Sequence, residues 1–513
     1  MSPTLVPARS PSARRSRPAL VWLSIGLVSA LALVVLGMTA VPAWASTCTF
    51  DAMTATVAVE VGQSETAVIG RSGDAITLDG QPCDMATVTT VDAIVVTTTG
   101  IPTEVALDLS GGGFGPGGTP ENDGGNAEIE ISIVLPAGSP TVRVIGGPNS
   151  DNVVLGADGI NLDATEPVGD VDVAIAGLPV IVLDGNGGND VLSVAGGSGT
   201  GAPSSGTLSG GPDGDLLLGA LGGSTIDGGE GPDTADYSAS QQLTSANLTT
   251  GSVTHGGGQP DQLSNVENLT GSPGADSIVG SDGPNVLRGG AGPDVLAGHG
   301  GNDTLDGGPG IDRLDYASSP TAVTVNLIQR TATGDGSDAL SEIEDVTGSP
   351  AGDRLIGDAG ANALNGGSGD DRVDGGGGDD ALDGGSGVDR VEFALANDGV
   401  DVDLRDGTAS GSGADTLASF ESVLGTSQAD TIHGDGAKNT LDGGGGSDEL
   451  YGHGGRDEVI GKDGNDQLFG QKGKDDQNGG PGRDQLDGGK GSDFCRGGPD
   501  PDAFVFCEKI RLD

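Results

Sequence analysis

From Gly271 onward the chain is written in nines. The first run reads GSPGADSIV, GSDGPNVLR, GGAGPDVLA, GHGGNDTLD, GGPGIDRLD. A second begins at Gly348 with GSPAGDRLI, GDAGANALN, GGSGDDRVD, GGGGDDALD, GGSGVDRVE, and a third runs from Gly425 through nine units to Val505. The runs are themselves in phase: Asp276, Asp353 and Asp430 are spaced 77 residues apart, as are Asp303, Asp380 and Asp457. A short fixed period of this kind marks a repetitive architecture in which each unit depends on stacked neighbours to bury its apolar face.

Within a unit, Gly dominates positions 1, 2 and 4, Asp or Asn holds position 6, and an apolar residue holds position 8. Residues 7 to 9, such as Val295-Leu296-Ala297, suit a short strand with the middle side chain inward. The six residues before them suit a tight loop, because Gly enters left-handed conformations and exposes its carbonyl without a Cβ in the way. A flexible Gly/Asp-rich linker would not keep Leu287, Leu296, Leu305 and Leu314 in step with Asp294, Asp303 and Asp312.

The composition sets the problem such a fold must solve. Gly accounts for 98 of 513 residues, aromatics for 3%, and 75 Asp plus Glu against 23 Lys plus Arg leave a formal charge of −52. An aromatic-rich core is excluded, and nucleic acid and anionic membrane surfaces are poor partners for so acidic a chain. One inward apolar residue per nine is little burial against the entropy of ordering the unit. Neighbouring strands lie ~4.8 Å apart, a separation at which two carboxylates repel by ~3.5 kcal/mol at an effective dielectric of 20. Cations must offset this, or the chain stays unfolded.

The unit resembles the hemolysin-type calcium-binding (RTX) nonapeptide, Gly-Gly-x-Gly-x-Asp-x-U-x, and nineteen phased copies carry the resemblance. It implies an all-β fold, a right-handed parallel β-roll or β-solenoid with two units per turn, in which loops 18 residues apart stack and share calcium ions. Calcium suits the chemistry: it takes six to eight hard oxygen ligands in a flexible shell, whereas magnesium demands stricter geometry, and zinc or copper would call for His or Cys. The candidate ligands in the first array are Asp276, Asp294 and Asp312 on one side and Asn285 with Asp303 on the other. The second array offers Asp353, Asp371, Asp380 and Asp389 with Asn362. In the third, Asp430, Asp448, Asp466, Asp484 and Asp502 face Asn439, Asp457, Asp475 and Asp493.

Departures from the pattern carry their own expectations. Asn285, Asn362 and Asn439 recur at the second unit of each array, where a neutral amide weakens the site. Looser copies precede the arrays and add Asp190, Asp215 and Asp233, while Ser224 replaces the acid in GALGGSTID. Gln477 holds an inward position and predicts a weak rung. The spacers between arrays alternate, with Val323, Val325, Leu327 and Val400, Val402, Leu404 inward, and read as wider turns of the same solenoid. They end on Glu267, Glu344 and Glu421 in one phase, expected to be exposed or capping carboxylates, with an added calcium ligand as the alternative.

The N-terminus carries Arg9, Arg14, Arg15 and Arg17, an uncharged run from Ala19 to Val41, and Ala43-Trp44-Ala45. This is the order of a secretory signal peptide cut after Ala45, with a retained membrane anchor as the alternative. Secretion places Cys48, Cys83, Cys495 and Cys507 in an oxidising compartment. Three pairings are open, and proximity favours Cys48–Cys83 and Cys495–Cys507. The second would close the end of the roll and stabilise it by ~3 kcal/mol. The organisation expected is a signal peptide (1–45), a β-rich region (46–145), degenerate repeats (146–236), a spacer (237–270), array 1 (271–315), a spacer (316–347), array 2 (348–392), a spacer (393–424), array 3 (425–505) and a cap (506–513). Whether 46–145 is a sandwich or more solenoid is not decided by its Val- and Thr-rich alternation.

No chemistry beyond the loops stands out. His255, His299, His433 and His453 lack zinc-protease spacing, and no Gly-x-Ser-x-Gly elbow occurs. Three of these His fall at variable repeat positions and are expected to face solvent. Glu121, Glu128 and Glu130 could imitate a glycosidase pair, but acids are everywhere in this chain. The expectation is a secreted, extracellular calcium-binding protein without catalytic activity; a surface adhesin with a cell-surface or glycan partner is the alternative, and an N-terminal hydrolase a third.

Overall fold

The computed structural model describes residues 46–511, apart from 92, 99–100, 112–129, 136–140, 150, 156–158, 162–172, 177–179, 195–205, 220–222, 241–243 and 256–257. The signal segment (1–45) lies outside the described residues. Among those described there is no helix, and two long sheets contain most of the strands.

Consecutive nonapeptides feed the two sheets in turn. In the first array Ser277–Val279, Val295–Ala297 and Arg313–Asp315 pair in parallel in one sheet, and Val286–Arg288 with Thr304–Asp306 in the other. The register is 18 residues at each step, Ile278 opposite Leu296 and Leu287 opposite Leu305. Two units therefore make one turn, as the resemblance implied. Position 8 always points between the sheets, so Ile278, Leu287, Leu296, Leu305 and Leu314 are fully buried and belong to one continuous apolar cluster.

The spacers are more than wide turns. Each contains an antiparallel hairpin inserted into the stack of one sheet. In the second spacer Thr304–Asp306 is followed across the sheet by Ser337–Ser341, Thr331–Thr333 and Thr324–Asn326, and only then by Arg354–Ile356 of the next array. The third spacer does the same in the opposite sheet, through Ala414–Ala418, Thr408–Ser410 and Asp401–Asp403. Val323, Val325, Val400 and Val402 are buried there as their alternation predicts, and Leu404 is half-buried.

Residues 46–145 continue the same solenoid, which settles the question their sequence left open. Thr56–Val61 pairs in parallel with Ala93–Thr98, and that strand with Glu130–Val134; Thr66–Ser72, Glu104–Asp108 and Thr141–Ile145 stack likewise in the second sheet. The step here is 37 or 38 residues, Thr56 opposite Ala93 and Thr66 opposite Glu104. Strands of five or six residues turn two or three side chains inward: Val57, Val59 and Val61, then Ile94 and Val96, then Ile131 and Ile133, all buried. The antiparallel strand Thr47–Asp51 covers the start of the first sheet, and Cys48–Cys83 bonds it to the strand Gln81–Thr87. At the far end Cys495 is bonded to Cys507, and Lys509–Arg511 adds a last parallel strand.

Candidate metal centre

The position-6 acids form columns inside the solenoid. From Asp190 to Asp493 every candidate Asp and Asn is at most 3% exposed, and Asp502, at the open end, is half-buried. Each Asp turns one carboxylate oxygen along the column. The backbone N–H of Asp276 donates to Asp294 Oδ1 at 2.7 Å and that of Asp294 to Asp312 Oδ1 at 2.7 Å. The third array repeats the bond from Asp430 to Asp448, Asp466, Asp484 and Asp502, at 2.9 to 3.0 Å, with Asp457, Asp475 and Asp493 linked opposite. The earlier copies join in, Asp190 donating to Asp215 and Asp215 to Asp233, each at 2.8 Å.

The other oxygen, Oδ2, is the informative one. It is buried without a hydrogen-bond partner in Asp190, Asp215, Asp233, Asp294, Asp303, Asp312, Asp371, Asp389, Asp448, Asp457, Asp466, Asp475, Asp484, Asp493 and Asp502. A buried, unpaired carboxylate oxygen is costly and rare in native proteins. It lies close over the position-1 Gly of its own unit. A Cβ on Gly289 would meet Asp294 Oδ2 at 2.4 Å and the Gly307 carbonyl at 2.6 Å; on Gly461 it would meet Asp466 Oδ2 at 2.3 Å and the Gly479 carbonyl at 2.6 Å. Acceptors thus converge with no donor between them, which is the donor set a hard cation requires. Among the described residues no three Asp, Glu, His or Cys side chains cluster as a metal site, so backbone carbonyls must supply much of any coordination.

Burial outweighs the backbone hydrogen bonds that favour the charged form of these groups. Burial pushes the carboxyls of Asp190, Asp294, Asp303, Asp448 and Asp457 up to about 7. It pushes those of Asp233, Asp371, Asp380, Asp475 and Asp484 to about 6. Neighbouring carboxylates add to the rise, and the column hydrogen bonds offset part of it. Asp215, Asp312, Asp389, Asp466 and Asp493 move the same way for the same leading cause. A bound dication would hold such groups ionised at neutral pH.

Six candidates differ. Asp276, Asp353 and Asp430 accept a bond to Oδ2 from the backbone N–H of Ser272, Ser349 and Thr426, at 2.5 to 2.6 Å. Asn285, Asn362 and Asn439 accept from the N–H of Ser281, Asp358 and Asp435 through Oδ1, at 2.7 to 2.8 Å.

The columns also contain acids that the sequence reading did not place in them. Glu267, Glu344, Glu421 and Glu508 take the place of the next Asp, their Oε2 accepting from the N–H of Asp233, Asp312, Asp389 and Asp493. The first three were expected as capping or exposed acids and are ladder caps. Asp261, Asp338 and Asp415 in the spacers are buried and accept from Ser224, Asp303 and Asp380. The signal for the last two was present: GDGSDAL and GSGADTL keep the Gly-x-Gly-x-Asp-x-Leu core of the repeat. Asp261 also meets His255 Nε2 at 3.0 Å and Tyr237 at 3.2 Å. Ser224 is buried, its hydroxyl accepting from Gly206 N–H where an Asp would. Gln477 is fully buried and donates to the Asp487 carbonyl.

None of the three His expected to face solvent is fully exposed. His299, His433 and His453 are half-buried, and His433 stacks on Tyr451 with centroids 4.4 Å apart. Glu121 and Glu128 lie outside the described residues, and of Glu130 only the backbone is described.

No curated protein matches the chain. The family model of the RTX calcium-binding nonapeptide repeat matches residues 264–292, 279–314, 347–398, 424–459, 451–486 and 473–503. These segments coincide with the three arrays and their columns of buried acids. Across residues 264–503 the chain carries RTX calcium-binding nonapeptide repeats in several copies, and it is a calcium-binding repeat protein.

Proposed function

We propose that the protein is a secreted, non-enzymatic structural element whose arrays fold when they meet calcium outside the cell. The observation that carries this reading is the column of buried Oδ2 atoms that no donor of the protein reaches. Loops of this kind are incomplete without a cation, so free energy of binding becomes free energy of folding. The Arg-rich and apolar N-terminal segment supports export, and a calcium-poor cytoplasm would keep the arrays unfolded until then. Titration of residues 46–513 with calcium, followed by far-UV circular dichroism with chelator reversal and a magnesium control, tests it. A saturable gain of β signal with calcium, reversed by the chelator and not matched by magnesium, is expected; an unchanged spectrum would overturn it.

A specific feature favours a surface-interaction role built on the same solenoid. On the outer face of the third array, His433, Tyr451 and Phe469 stack at 4.4 and 4.8 Å. Below Phe469 a surface pocket is lined by Lys472, Asp487, Lys490 and Phe506, the last 70% exposed. An aromatic face beside two ammonium groups suits the ring and carboxylate of an acidic sugar. Binding of an oligouronate that is lost in Phe469→Ala and in Lys472→Ala/Lys490→Ala would support this role; equal binding by those variants would remove it.

A further inference from the structure

The loops of this protein come in two states, and the boundary falls at the same place in every array. In the third and later units position 2 has positive φ whatever residue holds it. It is +112° at Gly290, +61° at His299 and +90° at Gly308; +96°, +84° and +93° at Gly367, Gly376 and Gly385; and +90°, +67°, +73° and +66° at Gly444, His453, Lys462 and Gln471. In the first two units of each array position 2 is Ser272 and Ser281, Ser349 and Asp358, Thr426 and Asp435, and none of these adopts a positive φ. There the position-2 N–H turns inward onto the position-6 side chain instead of away from it.

Side chains complete the exchange. Ser272, Ser349 and Thr426 also donate their hydroxyls to Oδ1 of Asp276, Asp353 and Asp430, at 3.1, 2.7 and 2.9 Å. In the second unit the amide supplies a donor that a carboxylate lacks. Nδ2 of Asn285, Asn362 and Asn439 donates to the backbone carbonyls of Glu267, Glu344 and Glu421 at 2.5, 2.7 and 3.4 Å. Those same Glu side chains close the column of the preceding segment. One residue thus ends one column through its carboxylate and starts the next through its carbonyl.

We infer that the first turn of each array takes no calcium through its position-6 residues: hydrogen bonds from position 2 and from the Asn amide stand where later turns require an ion. The calcium sites then begin at Asp294 and Asp303, at Asp371 and Asp380, and at Asp448 and Asp457, each on a turn that is complete without metal. The assignment rests on the calcium-binding reading of the later loops and says which residues of the repeat are exempt from it. Asn is then a deliberate choice and not a weakened ligand: at positions 362 and 439 an acid would face a carbonyl with no side-chain donor beside it, whereas at 285 the Ser281 hydroxyl lies within 3.2 Å of Nδ2.

The test is calcium stoichiometry on residues 46–513, by equilibrium dialysis with calorimetry. In Asn362→Asp and Asn439→Asp the donor becomes an unpaired acceptor, and each substitution is expected to add one bound ion to the wild-type count. An unchanged count in both, in protein that retains its calcium-loaded circular dichroism, would overturn the inference. A second comparison does not depend on gaining a site: Asp371→Asn is expected to remove one ion and Asp353→Asn none. Equal losses from both would show that the first turn binds like the rest. Absence of calcium binding by the wild-type protein would instead strike down the functional reading itself.

Discussion

At Gly464, position 4 of its unit, a side chain has no room where the loop stacks on the previous turn. A Cβ on Gly464 would lie 1.5 Å from the Gly446 carbonyl, at a φ of +157°. Gly464→Ala is therefore expected to destabilise the calcium-loaded protein by ~1–3 kcal/mol, seen as a lower melting temperature in saturating calcium. The acids of the columns make a pH prediction with a definite sign. Their carboxyls are raised in the folded, metal-free state, several to about 6 or 7. The folded state thus binds more protons than the unfolded chain between the ordinary carboxylate value and 7, so the contribution to stability is present below about pH 4 and is lost as pH rises through 6 to 7. In chelator, circular dichroism should show more β structure at pH 5 than at pH 8, while calcium affinity should run the other way, rising through the same window as the proton is displaced. The identity of position 6 was plain in the sequence. The state of the loop was not, because it is set by the backbone angle at position 2, where Ser, Thr and Asp take one geometry and Gly, His, Lys and Gln another.

The spacers show how an element can be half legible. Their inward Val residues and their recurring Glu were readable, and Val325 and Val402 are fully buried as the alternation requires. The hairpins were not, since a strand of three residues carries too little periodicity to reveal whether its partner is parallel or antiparallel. Asp338 and Asp415 were hidden by spacing: they follow Asp303 and Asp380 by 35 residues, out of phase with the 18-residue step. The Glu caps give the element-scale prediction. Glu344→Ala leaves the Asp312 N–H buried without its acceptor, and a loss of ~1–3 kcal/mol is expected, read by thermal melting in calcium, with Glu344→Gln recovering part of it. At the C-terminal end, Cys495→Ser with Cys507→Ser opens the cap at Lys509–Arg511, and a loss of ~3 kcal/mol is expected.

Across the whole described chain, one solenoid changes its source of stability along its length. Near the N-terminus the parallel strands bury two or three apolar residues, as Val57, Val59 and Val61 do; in the arrays a strand buries one, such as Leu450 or Leu468. As the apolar layer thins, buried acids take its place. The array end of this trend was visible in the nonapeptides. The N-terminal end was not, because turns of 37 or 38 residues with differing loops leave no short repeat to find. Hydrogen exchange of residues 46–513 with and without calcium compares both ends in one measurement. In chelator at pH 8, amides in the third and later units, at 289–315, 366–392 and 443–505, should exchange as an unfolded chain does, while those of 56–108 stay protected; calcium should restore protection to the arrays. Equal protection of the arrays in chelator and in calcium would contradict the account.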